Sequence, residues 1–503
     1  MPAQPHFSAP ATLSNSPDAS AASALTTSAA PACAVCVDLD GTLVRCDTLW
    51  ESLVLLAKRR PWELLLAVFW CWRGKAYFKR QVASRAAPDA ALLPYRPEVL
   101  ESLQVCKAEG RTIYLATGAD EQIARQVARH LALFDDVMAS DGQTNCSGAD
   151  KLAAVRRRLD GNSFAYWGDS RADLPLWQAA DEACVVAPSA GLWKAVQAVS
   201  ACARVAAPRK QLMRPLAAAL RPHQWSKNLL ILLPLFLSHQ WHNLHKVALA
   251  LICFVAFSAA ASAVYVINDL LDIEADRRHP LKRRRPFAAG ELSIPAGLCL
   301  AAIAAAVAIG LSVACLGPIP TAWLFGYLAT TTAYSLALKK RIVIDVIVLA
   351  GLYTLRIAAG AAAVSVPVST WLLAFAMFFF LSLAIGKRYI ELCRTSDDSE
   401  TTLPGRGYRA DDAQLLEQIG PTSGYLAVLV FCLYIDSDAV ARLYGHRDLL
   451  WLVCPMLLYW ITRFWLLARR REMHYDPVAF ALKDRLSLAV IAATAATVVL
   501  AAY

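Results

Sequence analysis

The chain has 503 residues, 57% of them hydrophobic, and a formal net charge of +10. That length accommodates two or three domains, and the apolar share excludes a wholly soluble protein of ordinary composition. The positive charge gathers in short loops between apolar runs, a membrane-loop bias that argues against nucleic acid as a partner.

Residues 1–32 are rich in Ala, Ser, Thr and Pro and contain no Lys or Arg. They are expected to be a disordered tail, since a secretory signal needs a basic start and an apolar run. A domain over residues 33–205 follows. It opens on the apolar stretch Ala34-Val-Cys-Val, which ends in Asp38-Leu-Asp40-Gly-Thr42. A second such stretch, Thr112-Ile-Tyr-Leu-Ala, ends in Thr117-Gly; Lys151 comes next, and a third, Phe164-Ala-Tyr-Trp-Gly, ends in Asp169-Ser-Arg-Ala-Asp173. Apolar strands alternating with helical stretches predict a parallel α/β sheet, with ligands at the carboxyl ends of the strands. Cys33 and Cys36 flank the first strand and read as inert core thiols rather than a zinc or redox pair. The insert over about 45–100 is expected to form a helical cap. Its apolar run at 62–72 is too short to span a bilayer and is flanked by Lys58-Arg-Arg60 and Arg73. Asp38 and Thr117 lie on either side of it and must share one side of the membrane. The run therefore reads as a cap helix lying on the membrane surface, or else as a buried one.

These four motifs together resemble the haloacid dehalogenase superfamily. The resemblance implies Asp38 as the nucleophile that forms an aspartyl-phosphate and Asp40 as the acid that protonates the leaving oxygen and later activates water. It implies Thr117 and Lys151 as holders of the phosphoryl oxygens, and Asp38, Asp169 and Asp173 as ligands of Mg²⁺. A decayed domain that only anchors or regulates is the alternative.

From residue 206 to 503 apolar runs dominate. Nine predicted spans lie near 226–243, 247–271, 292–314, 318–338, 342–365, 368–386, 423–443, 448–468 and 484–503, giving an all-α polytopic bundle. The basic segments 277–285, 339–341, 387–394 and 469–471 each follow an even-numbered span. That puts them on the side of the N-terminal domain, the cytoplasmic side of a bacterial-type inner membrane.

At the end of the second span stands Asn268-Asp269-Leu-Leu-Asp272-Ile-Glu-Ala-Asp276, followed by a run that includes Lys282 and Arg285. On a helix, positions 269, 272 and 276 share a face, so three carboxylates converge beside hydrocarbon. Such carboxylates are kept where a cation or watery cavity receives them, and Mg²⁺ with a substrate diphosphate answers that need. The arginines read equally as phosphate partners or as an ordinary positive-inside loop.

This segment resembles the first signature of the UbiA superfamily of intramembrane prenyltransferases, and the resemblance implies Asn268, Asp269, Asp272 and Asp276 as the first metal cluster. The family's second signature is usually a pair of aspartates four apart; here Asp345 is present and its partner position is Leu349. Further motifs look like the branch that makes polyprenyl-phosphate phosphoribose, the decaprenyl-phosphate phosphoribosyltransferase branch. They are Arg221-Pro-His-Gln-Trp-Ser-Lys227-Asn228, the 276–286 run, Tyr334-Ser335 with Lys339, and Asp476-Pro-Val-Ala-Phe480 with Asp484. That likeness implies phosphoribosyl diphosphate as donor and a polyprenyl phosphate as acceptor, with Lys227, Lys282, Arg285, Tyr334, Lys339 and Arg356 binding substrate. Lys339 reads equally as a snorkelling helix-end residue. An arginine inside a span, as Arg356 is, is expected to face a substrate phosphate or the acid cluster. Asp476 and Asp484 either cap and pair with the neighbouring basic loop or act on substrate. The rival readings are a prenyltransferase moving a polyprenyl group from its diphosphate to an aromatic or other acceptor, and a non-enzymatic transporter or lipid-binding scaffold.

Overall fold

The computed structural model describes residues 33–207, 212–367, 369–395, 406–473 and 477–503; the tail 1–32 and Asp476 lie outside them. The first domain is built on a six-stranded parallel sheet of order β3-β2-β1-β4-β5-β6. Its strands are β1 (Ala34–Val37), β2 (Ile113–Asp120), β3 (Asp136–Ser140), β4 (Phe164–Gly168), β5 (Glu182–Val186) and β6 (Ala203–Ala207). Chain order reverses between β1 and β4, which pair directly with Val37 opposite Trp167. The residues following these two strands, Asp38 and Asp169, therefore emerge side by side at the switch point, where open α/β sheets bind ligands. Both faces of the sheet are covered, so β1 is apolar and buried throughout. Burial pushes the Cys36 thiol up to about 12, and Cys33 and Cys36 are both free thiols.

Between β1 and β2 the cap contributes α1 (Thr48–Arg59), α2 (Glu63–Trp72) and α3 (Lys75–Ala86). Leu55, Leu56, Trp70, Val82 and Ala86 form its own small core. The other side of α2 is bare of protein: Leu65, Phe69 and Trp72, with Trp62 just before the helix, are all more than half exposed. On another face α1 docks on the membrane domain, where Trp50 and Val54 pack against a cluster containing Val266, Leu270, Ile273 and Phe287.

The membrane domain contains eight long helices among the described residues: α4 (Leu244–Leu271), α5 (Ile294–Leu311), α6 (Pro318–Leu336), α7 (Ile344–Ala363), α8 (Thr370–Thr395), α9 (Asp412–Ile435), α10 (Val453–Arg469) and α11 (Arg485–Ala502). All but α6 are long and apolar enough to cross a membrane, seven in all. The expected count of nine is thus two too high, for two physical reasons. The 226–243 run is broken into a 3₁₀ stretch, Pro222–Leu232, and a five-residue helix, Leu233–Leu237. Pro222 and Pro234 sit at the starts of these pieces, and Asn228 is turned inward to Ser258 and Arg356. Irregular backbone of this kind is tolerated at membrane depth when protein encloses it. In α6, the polar run Thr330-Thr331-Thr332 with Tyr334 and Ser335 lowers the hydropathy below that of a span.

The basic segments near 277–285, 339–341, 387–394 and 469–471 still fall at the ends of alternate helices, α4, α6, α8 and α10. Among the spans α4 and α7 are the most enclosed, 50% and 56% buried, against 22% and 17% for the helices beginning at Ile294 and Arg485. Helices α4 and α7 also carry the buried ionisable residues Asp269, Asp345 and Arg356. Close approach to α7 depends on Gly360, where a Cβ would stand 2.0 Å from the carbonyl oxygen of Ile231.

Candidate active sites

Two polar centres are linked by α1, through Thr48 on Asp40 and Lys58 on Asp272. In the first, Asp38, Asp169 and Asp173 bring one oxygen each within 4.8 Å of one another, a hard-oxygen trio suited to Mg²⁺. Lys151 Nζ stands 3.1 Å from Asp38 and 3.2 Å from Asp173. Asp173 also accepts from the Tyr166 hydroxyl at 2.8 Å, and Thr42 Oγ1 donates to Asp169 at 3.4 Å. Gly41, at φ +74°, could carry no side chain here, since a Cβ would fall 2.1 Å from Asp169 Oδ2. Asp40 accepts the Thr48 backbone N–H at 2.8 Å and its hydroxyl at 3.2 Å, so this carboxylate anchors the start of α1. Thr117 is fully buried within β2, where the strand's register shifts, and accepts from the Ala119 N–H.

Burial, with Asp38 and Asp173 nearby, pushes the Asp169 carboxyl up to about 7. Burial also raises Asp38, and raises Asp40 well above the usual carboxylate range. Burial alone would lower Lys151, but Asp38 and Asp173 hold it above its ordinary value. A group raised on folding stabilises the fold at low pH and loses that contribution as pH rises through its folded value. The metal-free domain is therefore expected to melt at a lower temperature at about pH 8 than at about pH 5.5, with Mg²⁺ narrowing that gap, because bound metal keeps Asp169 ionised at both. Melting curves at both pH values with and without Mg²⁺ check this; a Mg²⁺ stabilisation equal at both would contradict it.

The cavity over this centre has a volume of about 790 Å³. Its wall includes Lys79 of α3, whose ammonium donates to Gly118 O at 2.6 Å and Asn145 Oδ1 at 2.7 Å. It also includes Gly290, Glu291 and Ser293 from the membrane domain. Neither contribution was visible in the motifs, because both come from segments distant in sequence.

In the second centre, the last turns of α4 and the residues after it present the acid cluster. Asp269 pairs with Arg221 and with Arg285 at 3.1 Å, and Arg285 reaches Asp276 at 2.7 Å. Asp272 faces Lys58 of the cap at 2.9 Å and Lys339 at 4.0 Å. Asn268 donates to Ser335 Oγ at 2.9 Å, joining the α4 motif to the α6 motif. The three aspartates are not drawn as close as the Asp38 trio, because cations stand between them. With Asn268 they form an all-oxygen set that fits Mg²⁺, and the surrounding cations fit a phosphate-bearing anion.

Other expected residues are placed differently. Asp345 is fully buried and takes Arg388 Nε at 2.5 Å and the Tyr408 hydroxyl at 2.6 Å. Tyr334 accepts from Arg388 and Arg406, both at 2.8 Å, so it connects Asp345 through Arg388 to the Ser335 side of the cluster. Arg356 turns instead to Asn228 at 2.7 Å and to the Tyr327 hydroxyl at 3.2 Å. Lys282 is exposed on a 3₁₀ turn, and Lys227 is partly buried in the Pro222–Leu232 stretch. Asp484 pairs with Arg463 and caps α11. Arg221, Arg388, Arg406 and Tyr408 went unread as site residues. Arg221 alone carried a signal, as the first residue of its motif.

Comparison with known proteins agrees with this two-part organisation. The profile of the UbiA prenyltransferase family matches residues 229–496, and that of haloacid dehalogenase-like hydrolases matches residues 35–178. Uncharacterized protein y4nM of Sinorhizobium fredii is 35% identical over 92% of this chain and 90% of its own length. The nodulation protein NoeC of Azorhizobium caulinodans is 35% identical over 57% of this chain and 92% of its own. A decaprenyl-phosphate phosphoribosyltransferase of Corynebacterium glutamicum is 39% identical over 37% of this chain and 57% of its own, so only part of that relative is spanned. The chain belongs to the UbiA prenyltransferase family, as an integral membrane protein with a haloacid dehalogenase-like domain before its helical bundle.

Proposed function

We propose that the membrane centre transfers phosphoribose from phosphoribosyl diphosphate to a polyprenyl phosphate, and that the α/β domain then removes the 5-phosphate. The observation that carries the reading is the cation surplus at the acid cluster. Arg221, Arg285, Lys58 and Lys339 face only three carboxylates, Asp269, Asp272 and Asp276. A donor bearing a further phosphate beyond its diphosphate is the kind of anion such a surplus receives. Likeness to the phosphoribosyltransferase of Corynebacterium glutamicum supports the same choice.

Bound Mg²⁺ would neutralise charge on the departing diphosphate. Asp269, Asp272 and Asp276 would hold it, with Asn268 beside them, while Arg285 and Lys339 orient the phosphates and the lipid phosphate oxygen attacks the sugar carbon as diphosphate leaves. In the neighbouring domain Asp38 attacks the 5-phosphate phosphorus, Asp40 gives its proton to the ribose oxygen, and Lys151 and Thr117 hold the phosphoryl oxygens. Burial raises the Asp40 carboxyl well above the usual carboxylate range, a direction that suits a proton donor. Residues 290–293 help wall the phosphatase cavity and follow Arg285 of the transferase cluster closely in sequence. The exposed apolar side of α2, with Arg59, Arg60 and Arg73 around it, fits a cap resting on the cytoplasmic face of the inner membrane.

Membranes given labelled phosphoribosyl diphosphate with polyprenyl phosphate are expected to form lipid-linked ribose. Parallel membranes given a prenyl diphosphate with 4-hydroxybenzoate are expected to form no prenylated aromatic. The opposite pattern would replace the proposal with aromatic prenylation.

A further inference from the structure

Helix α1 touches both centres. Its first residue, Thr48, is bound to Asp40 of the phosphatase site, and Lys58, ten residues and about 15 Å of helix later, meets Asp272 of the transferase site. The two contacts differ in kind from those that dock the helix. Docking is accomplished by Trp50 and Val54 in the apolar seam, by the buried two-pronged pair of Glu51 with Arg277 at 2.5 and 2.8 Å, and by Arg59 on Glu274 at 3.0 Å. Lys58 is not needed for that purpose. Its side chain is 41% exposed, and Asp272 already has a second ammonium in Lys339.

We infer that Lys58 is a substrate-binding residue of the transferase site supplied by the phosphatase-like domain, and that its ligand is the diphosphate group of the donor. The inference rests on the transferase reading above but not on which donor is used. When divalent metal claims Asp272, two ammonium groups lose the same carboxylate. Lys339 and Lys58 then face the phosphates the metal brings. A lysine on a four-carbon stem with water on one side makes that exchange without moving its helix. The transferase site is consequently completed by the cap, and the domain fusion has a role at the first reaction as well as the second.

The test is titration calorimetry of Mg²⁺-pyrophosphate into the full-length protein, with Asp169→Ala in every arm so that the phosphatase site holds no metal. Lys58→Ala is expected to weaken binding about tenfold or more, the loss typical of one charge-assisted hydrogen bond. Lys58→Arg is expected to stay within a few-fold, and Arg59→Ala, which removes only a docking contact, to bind as the Lys58-intact protein does. Equal binding by Lys58→Ala, or equal weakening by Lys58→Ala and Arg59→Ala, would make Lys58 a docking residue and overturn the inference. No Mg²⁺-dependent binding in any arm would instead remove the transferase reading on which it stands.

Discussion

Replacing Asp38 by Asn is expected to abolish phosphate release from the lipid-linked product, by about a thousandfold or more, while leaving the transfer step intact. The change keeps the shape of the side chain. Its oxygen can still accept the Leu39 N–H, made now at 2.8 Å, and Lys151 retains Asp173. What disappears is the nucleophile and one of the three metal-facing carboxylates. Because Asp38 makes no contact with the α4 cluster, the transferase should run on and a phosphorylated lipid should accumulate. Thin-layer or mass analysis of lipid extracts reads this directly. Unchanged product composition would mean that the α/β domain acts on another phosphate, or on none.

Much of this architecture is legible along the chain, and for identifiable reasons. A fully buried parallel strand must be largely apolar, so β1 and β4 stand out, each followed by the aspartates that the sheet then gathers, and the apolar start of β2 leads into Thr117. The spans α4, α5 and α7 to α11 show themselves in the same way, as long apolar runs. The miscounted spans fail where apolar content and helix length part company. The run from Leu229 to Leu237 is apolar but broken between a 3₁₀ stretch and a five-residue helix, and α6 is regular but too polar.

Site residues divide along a similar line. Asp269, Asp272 and Asp276 are recognisable because their segment resembles the first signature of the family; the helix itself breaks at Asp272, between Leu271 and Ile273. Arg356 points to Asn228, whose place depends on how a broken segment packs against α4 and α7, and no local pattern encodes that. Lys58 and Lys79 belong to the cap, and their partners lie far away in the chain, at Asp272 and at Gly118 with Asn145. Only the docked tertiary structure reveals them.

On the proposed reading, Asp269, Asp272 and Asp276 hold a metal-bound diphosphate while it departs. Removing two of them leaves Arg221, Lys58 and Lys339 without these partners, so the double variant Asp269→Ala/Asp272→Ala remains strongly cationic and can still attract a phosphate anion. Binding alone is therefore a weak discriminator, and turnover is the decisive quantity. Several kcal/mol of charge stabilisation by a correctly held metal corresponds to about a thousandfold or more in rate. The most direct measurement is pyrophosphate release from labelled phosphoribosyl diphosphate by purified protein with polyprenyl phosphate present. Release should be Mg²⁺-dependent in the wild type and reduced by that factor in the double variant, whose phosphatase turnover on a small phosphomonoester should persist. Release at the wild-type rate from the double variant would contradict the claim.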